Sequence, residues 1–239
     1  LTAEVRFILT DDNALVLDYQ AETTRPTHVN FTNHAYWNLE GAGSGTVLDH
    51  PLRINAEKVL AADERLVPTG EKIDVAGTAL DFRESRPIGE RIEAIPESIG
   101  GYDHCYVLRE EPLLIEKMPE SGPVKVLREI GFFGKNDRRS RSSKRGLAEA
   151  AVLSAPKSGR KLLLFTTQPG VQIYTANHLG DRFGWKGQPY GPHHGVCLET
   201  QHFPDTPNKP SFPTTRLDPG ETLREVTVFQ FRQSRSNRD

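Results

Sequence analysis

Cysteine is scarce in this chain of 239 residues. Cys105 and Cys197 are the only two, and they fit no disulfide framework and no zinc spacing. Two buried thiols in a reducing, cytoplasmic compartment are expected instead. Methionine occurs once, at Met118, while the chain starts at Leu1, so a fragment or a processed chain is expected. Long apolar runs are missing: none approaches the ~18 residues of a membrane span. No charged-then-apolar leader ending in small residues is visible either. An excess of one charge is lacking too, with 30 Lys and Arg against 32 Asp and Glu. That balance argues against a chain devoted to nucleic acid. There is no P-loop, no Gly-rich dinucleotide fingerprint and no Gly-x-Ser-x-Gly elbow.

What is present reads as short strands. Val5, Phe7 and Leu9 alternate with polar residues, Asp11, Asp12 and Asn13 make a turn cluster, and Leu15, Leu17 and Tyr19 alternate again. Period two on both sides of a polar turn predicts a hairpin. Further extended runs are 28–32, 52–56, 58–61, 105–108, 162–167, 171–176, 196–201 and 225–231. Gly and Pro punctuate the chain between them. No amphipathic helix of twelve residues is found, although 88–95 suits a short one. Many short strands with frequent turns predict one all-β domain over 1–239, an antiparallel sandwich or barrel. The strand rhythm fails over 110–149. There a basic, Ser-rich run from Lys135 to Arg145 predicts a mobile surface insertion, with a nucleic-acid or targeting patch as the sharper reading. The polar tail 232–239 is expected to fray.

Three clusters carry reactive residue types. Around His34 stand Asn30, Asn33, Asn38, Thr32, Tyr36 and Trp37. Aromatic faces with amide hydrogen bonds suit a sugar ring, which has apolar C–H faces and a polar rim; a core histidine fixed by asparagines is the plainer reading. Asp103 and His104 follow a Gly-Gly turn on a loop leading into 105–108, where binding residues concentrate; a turn-stabilising Asp beside an exposed His is the alternative. Glu199 lies in an otherwise apolar strand, with Val196 and Leu198 on one face and Cys197 and Glu199 on the other. A carboxylate there is costly unless it is paired or lines a cleft. Burial would raise its pKa toward a general base's range. His193, His194 and His202 lack the spacing of a metal site, so no metal is expected. Asn30-Phe31-Thr32 matches a glycosylation sequon, a common chance match. Together these residues make a site of two carboxylates and one histidine, suited to proton transfer on a bound polyol.

The ordered motifs resemble the aldose 1-epimerase, or galactose mutarotase, family. Thr32 to Leu39 looks like its Asn-His-small-aromatic-aromatic-Asn-Leu signature. Leu66 to Gly70, Gly77 to Arg83, Gly101 to His104, Thr166 to Asn177, Leu198 to Asp205 and Pro219 to Glu221 resemble its later blocks. The likeness covers nearly everything outside 110–149. It implies a large antiparallel β-sandwich, the galactose mutarotase-like supersandwich, with a sugar cleft on one face. It implies interconversion of the anomers of free hexoses, with Glu199 as general base and His34 as general acid. Asp103, Gln172 and Asn33 would bind the sugar. No cofactor is implied. The partners expected are a small aldose and neither nucleic acid nor membrane, with the chain a monomer or weak dimer. The family's N-terminal portion, with early strands and an Arg and a His that help bind the sugar, would lie before Leu1.

Three other readings compete: a non-catalytic sugar-binding module on the same fold, a hexose-6-phosphate 1-epimerase, and a nucleic-acid binder acting through 135–145. The phosphate reading needs cations at the mouth of the site. The last predicts steep salt dependence.

Overall fold

Apolar residues at every second position leave the backbone few ways to satisfy itself other than antiparallel ladders. A computed structural model describes residues 1–109, 127–128, 146–180, 182–184 and 187–233. Its strands are Thr2–Leu9 (β1), Ala14–Glu22 (β2), Thr27–His28 (β3), Tyr36–Trp37 (β4), Pro51–Ile54 (β5), Ala56–Ala62 (β6), Pro68–Asp74 (β7), Arg86–Pro87 (β8) and Asp103–Leu108 (β9). They continue as Ala148–Ser154 (β10), Arg160–Thr166 (β11), Gly170–Tyr174 (β12), Arg182–Phe183 (β13), Pro189–Tyr190 (β14), Val196–Gln201 (β15), Arg216–Leu217 (β16) and Thr222–Gln233 (β17). A seven-stranded sheet has the order β1-β2-β17-β11-β10-β5-β8. A six-stranded sheet has the order β4-β15-β12-β9-β6-β7. Their strands pair antiparallel, as the sandwich expectation requires. Ile88–Ala94, expected as a short helix, is a 3-10 segment broken at Arg91. Among the described residues no helix is long and apolar enough to cross a membrane.

The main core lies between the two sheets. Leu17, Tyr19, Leu162, Leu164 and Phe229 from the larger sheet meet Val59, Tyr106, Val171, Ile173, Val196 and Leu198 from the smaller. Each buried side chain of this size contributes roughly 1.5–3 kcal/mol. The larger sheet is apolar on its outer face as well, where Ala14, Val16, Phe165, Val226 and Val228 pack with Leu127 and Leu147. Coverage on both faces explains the unbroken buried stretch in the middle of β17. Among those apolar residues Asp18 is fully buried, held by Arg224 through Nε at 2.9 Å and Nη2 at 3.0 Å and by Arg6.

Several expectations need correction. Strand β10 starts at Ala148, so the segment predicted to end at Glu149 ends earlier: Ala148, Ala150 and Ala151 are buried in the sandwich. Of the remainder, 110–126 and 129–145 lie outside the described residues, including the basic run. The tail was predicted to fray from Arg232, yet Arg232 and Gln233 pair with Lys161 and Arg160 in the ladder; 234–239 lie outside the described residues. The first hairpin forms with the expected register, Phe7 opposite Leu17 and Leu9 opposite Leu15. Its apolar row is only half covered. Leu17 is buried, whereas Phe7 is 63% and Leu9 79% exposed. Strand β1 is the edge of the larger sheet, and no described residue covers Phe7 or Leu9 there.

Two outcomes follow from this packing. Asp18→Ala takes the carboxylate from two guanidiniums and should lower the free energy of unfolding by about 3–5 kcal/mol, read from urea titration. Phe7→Lys with Leu9→Lys should leave stability within about 0.5 kcal/mol. It should also lower self-association in sedimentation velocity, because an apolar edge strand templates further pairing.

Candidate active site

The geometry of the site follows from which face each strand must bury. In β15, Val196 and Leu198 enter the core, which turns Cys197 and Glu199 to the outer face. In β12, Val171 and Ile173 enter the core, which turns out Gln172 and Tyr174. In β9, Tyr106 and Leu108 enter it, which turns out Asp103 and Cys105. Register then sets two rows across the sheet. Tyr36, Cys197, Tyr174 and Asp103 are successive partners in one; Glu199, Gln172 and Cys105 are successive partners in the next.

His34 reaches this face from the loop before β4. Three asparagines hold the loop. Asn30 exchanges two hydrogen bonds with the His202 backbone, at 3.0 and 2.9 Å. The oxygen of Asn33 accepts from the Ala35 N–H at 3.2 Å. Asn38 donates to Gly45 O and His194 O. His34 thus stands half exposed, with Nε2 3.3 Å from Glu199 Oε1 and Nδ1 3.4 Å from Cys197 Sγ. Its ring lies 5.1 Å from that of Tyr36 and 6.0 Å from that of Tyr174. Gln172 donates from Nε2 to Asp103 Oδ1 at 2.6 Å.

Burial raises the pKa of Glu199; the neighbouring His34 opposes that shift and Asp103 adds to it. Burial, with Glu199 and Asp103 adding to it, also holds the Cys197 thiol well above its usual range. His34, Cys197 and Glu199 have donor atoms within 4.8 Å of one another, close enough for a proton to pass between them or for one ion to be shared.

The structure therefore brings Glu199, His34, Asp103 and Gln172 to one face. Asn33 supports the His34 loop through its oxygen instead of joining those rows. His104 turns inward: its partner in the ladder is Ile173, its Nδ1 accepts from the Asp103 N–H, and burial lowers its pKa. Asp103 and His104 begin β9 and do not sit on a loop as the Gly-Gly turn implied. The turn itself needs glycine at 101, where φ is +146° and a Cβ would lie 2.4 Å from Asn177 Oδ1. His193, His194 and His202 separate, with His193 Nδ1 on Thr175 O and His202 Nε2 on Glu225. Tyr174 and Cys197 were not singled out as site residues, although alternation in β12 and β15 turns Tyr174 out with Gln172 and Cys197 out with Glu199.

The Aldose 1-epimerase family model matches residues 1–230. Galactose mutarotase from Bos taurus is 37% identical over 222 residues, 92% of this chain and 55% of its own length. Aldose 1-epimerase from Escherichia coli is 32% identical over 235 residues, 97% of this chain and 58% of its own length. This chain thus spans a little over half the length of the relatives it matches. Among solved structures, a GalM/aldose epimerase homologue from C. elegans superposes with a TM-score of 0.72 at 24% identity, over 96% of this chain and 59% of that one. Galactose 1-epimerase from Lactobacillus acidophilus gives 0.70 at 23% identity, over 97% and 57%. The two structures share the fold described above, the family model runs through every motif that forms the site, and the chain belongs to the aldose 1-epimerase family.

Proposed function

We propose that the chain interconverts the α and β anomers of free hexoses such as galactose and glucose. One observation carries this reading: a buried carboxylate and an imidazole nitrogen stand 3.3 Å apart on a polar, aromatic-walled face. An anomeric carbon bears two oxygens, the hydroxyl that must lose a proton and the ring oxygen that must gain one. An acid and a base serving two oxygens on one carbon have to be neighbours.

Glu199 takes the proton of the anomeric hydroxyl. His34 gives a proton to the ring oxygen as the bond from that oxygen to the anomeric carbon breaks. The open-chain aldehyde turns about the bond to its second carbon. The returning hydroxyl gives its proton to His34, and Glu199 gives its proton to the former aldehyde oxygen, now on the other face. Both groups end as they began, so the cycle needs no cofactor. Asp103 and Gln172 hold sugar hydroxyls, and the rings of Tyr36 and Tyr174 lie along its C–H face. Asn33 supports the histidine loop from beneath the sugar.

The two rows hold no Lys or Arg, which favours a free sugar over a hexose 6-phosphate. A sugar-binding module without turnover is the second reading, since the same aromatic and polar face would also hold a sugar that is not converted. Two free buried cysteines support a reducing, cytoplasmic location. We read 1–239 as one domain, a monomer or weak dimer, with no nucleic-acid or membrane partner.

Polarimetry of freshly dissolved α-D-galactose with and without the chain tests the proposal. Acceleration is expected, and Glu199→Gln and His34→Asn should each reduce it at least ~100-fold. His34→Asn should lose rate far more than affinity; equal losses would make it a binding residue. Binding without acceleration would support the second reading.

The pH dependence has a definite sign. Because burial raises Glu199, the rate should fall toward acid with a midpoint above the ~4.3 of an ordinary glutamate. The same shift means the folded state holds its proton more tightly than the unfolded chain. The ionised carboxylate therefore destabilises the fold above the raised pKa, and this effect vanishes below the unfolded value. Thermal melts should show Glu199→Gln at least as stable as the parent at pH 7, with the difference closing toward pH 4.

A further inference from the structure

Cys197 is a reactive side chain in contact with His34 that the proposed cycle leaves without a task. It is fully buried, next but one to Glu199 on β15, and its Sγ lies 3.4 Å from His34 Nδ1. We propose that Cys197 is a positioning residue: its S–H donates to Nδ1 of His34 and keeps the proton of the neutral imidazole on Nε2, the nitrogen facing Glu199. The inference rests on the reading of His34 and Glu199 as acid and base.

The argument runs through donor and acceptor roles. A neutral imidazole has one N–H and one acceptor nitrogen, and the partner of one nitrogen decides where the proton sits. Two groups meet His34 at its nitrogens. Glu199 Oε1, an acceptor when ionised, faces Nε2 at 3.3 Å, and the Cys197 sulfur faces Nδ1. Burial beside the carboxylates keeps that sulfur in its S–H form, so it offers a donor to Nδ1. The other ionisable groups around the ring are Tyr36 on β4 and Tyr174 on β12, which meet it as ring faces and edges. Asp103 on β9 bonds to Gln172. Only Cys197 is recorded as a partner of Nδ1 among the described residues.

A thiol suits the task better than a carboxylate would. A carboxylate on Nδ1 would draw the neutral ring's proton to that nitrogen and away from Nε2. A thiol donates to Nδ1 instead, so the negative charge that develops on the ring as Nε2 gives up its proton is met by the S–H until the returning hydroxyl restores that proton. Register fixes the placement, because Cys197 pairs with Tyr36, two residues beyond His34.

The test uses the full chain, Cys197→Ala and Cys197→Ser. Without sugar, NMR of 15N-histidine-labelled protein at a pH where His34 is neutral reports which nitrogen is protonated; His34→Asn identifies the resonances. The parent should carry its proton on Nε2. Cys197→Ala should admix the other tautomer, and Cys197→Ser, which keeps a donor, should restore the parent pattern. A proton on Nδ1 in the parent overturns the proposal, as does a Cys197→Ala spectrum identical to the parent's. In mutarotation, Cys197→Ala should lower kcat about tenfold or more with KM little changed, since a histidine in the wrong tautomer is a poor proton carrier. Cys197→Ser should recover most of that loss. Equal losses for alanine and serine, or a loss confined to KM, would make the thiol a packing residue only. Should Cys197→Ala fail to fold, the parent spectrum and the serine variant decide. If Glu199→Gln leaves mutarotation unchanged, the functional reading fails, while the tautomer measurement still judges Cys197.

Discussion

Burial of one face of the six-stranded sheet governs the rest of the site. Strands β15, β12 and β9 have no choice about Val196, Leu198, Val171, Ile173 and Tyr106, which must leave water for the space between the sheets. Period two then sends Glu199, Gln172 and Asp103 to the other side. A slip of one residue in any of these strands would exchange core for site, so the hydrophobic effect enforces the register of the polar groups as firmly as that of the apolar ones. The proposed site is built on paired strands, and of its acid–base pair only His34 comes from a loop.

Polar links between the layers secure the far end of β15. Thr200 Oγ1 meets Thr227 Oγ1 of β17 at 2.6 Å, and Gln168 donates to Thr200 O. Two residues on, His202 meets Glu225 at 3.2 Å, and Glu225 also accepts from Thr167. Buried groups of this kind are tolerable only when satisfied, and once satisfied they specify one arrangement. Because Asn30 binds the His202 backbone, the same junction anchors the loop that carries His34. His34 and Glu199 are therefore tied to one corner of the molecule, although 165 positions separate them in the chain. The bonds from Asn30 also give that side chain a structural task, in keeping with a sequon that matched by chance.

Much of this was legible in the sequence, for identifiable reasons. The first hairpin carries clean alternation and a long ladder, so local pattern and tertiary packing agree. The outward placement of Glu199 was readable because a carboxylate among Val196, Cys197 and Leu198 has only one affordable side. Two-residue strands such as β4 and β8 were not readable, since they exist only through their partners. His104 looked like a loop residue because the Gly-Gly turn drew attention; its inward direction depends on β9 starting at Asp103. The asparagines around His34 resembled sugar ligands by composition, but amides also bind backbone, and composition does not distinguish the two. Cys197 read as a plain buried thiol because its relation to His34 is a tertiary contact. The exposure of Phe7 and Leu9 was hidden for the opposite reason: alternation tells which residues share a face, while coverage of that face depends on the layer opposite.

The contact between His34 and Glu199 also bears on how a sugar would enter. Glu199 is buried enough that its ionised form is costly, and His34 offsets part of that cost. The carboxylate and the imidazole are partners to each other. A sugar that inserts its anomeric oxygens replaces one contact with two, one to the carboxylate and one to the imidazole. The exposed ring of His34 can yield, while Glu199, fixed in the ladder opposite Gln172, cannot. Ligand entry would then remove water from a carboxylate already raised by burial and make it a stronger base as the sugar hydroxyl gives up its proton. A more exposed glutamate would bind sugar as well but abstract the proton less readily. One buried without an imidazole beside it would stay protonated and could not act as a base at all. Glu199, buried in the β15 ladder with His34 beside it, meets both demands.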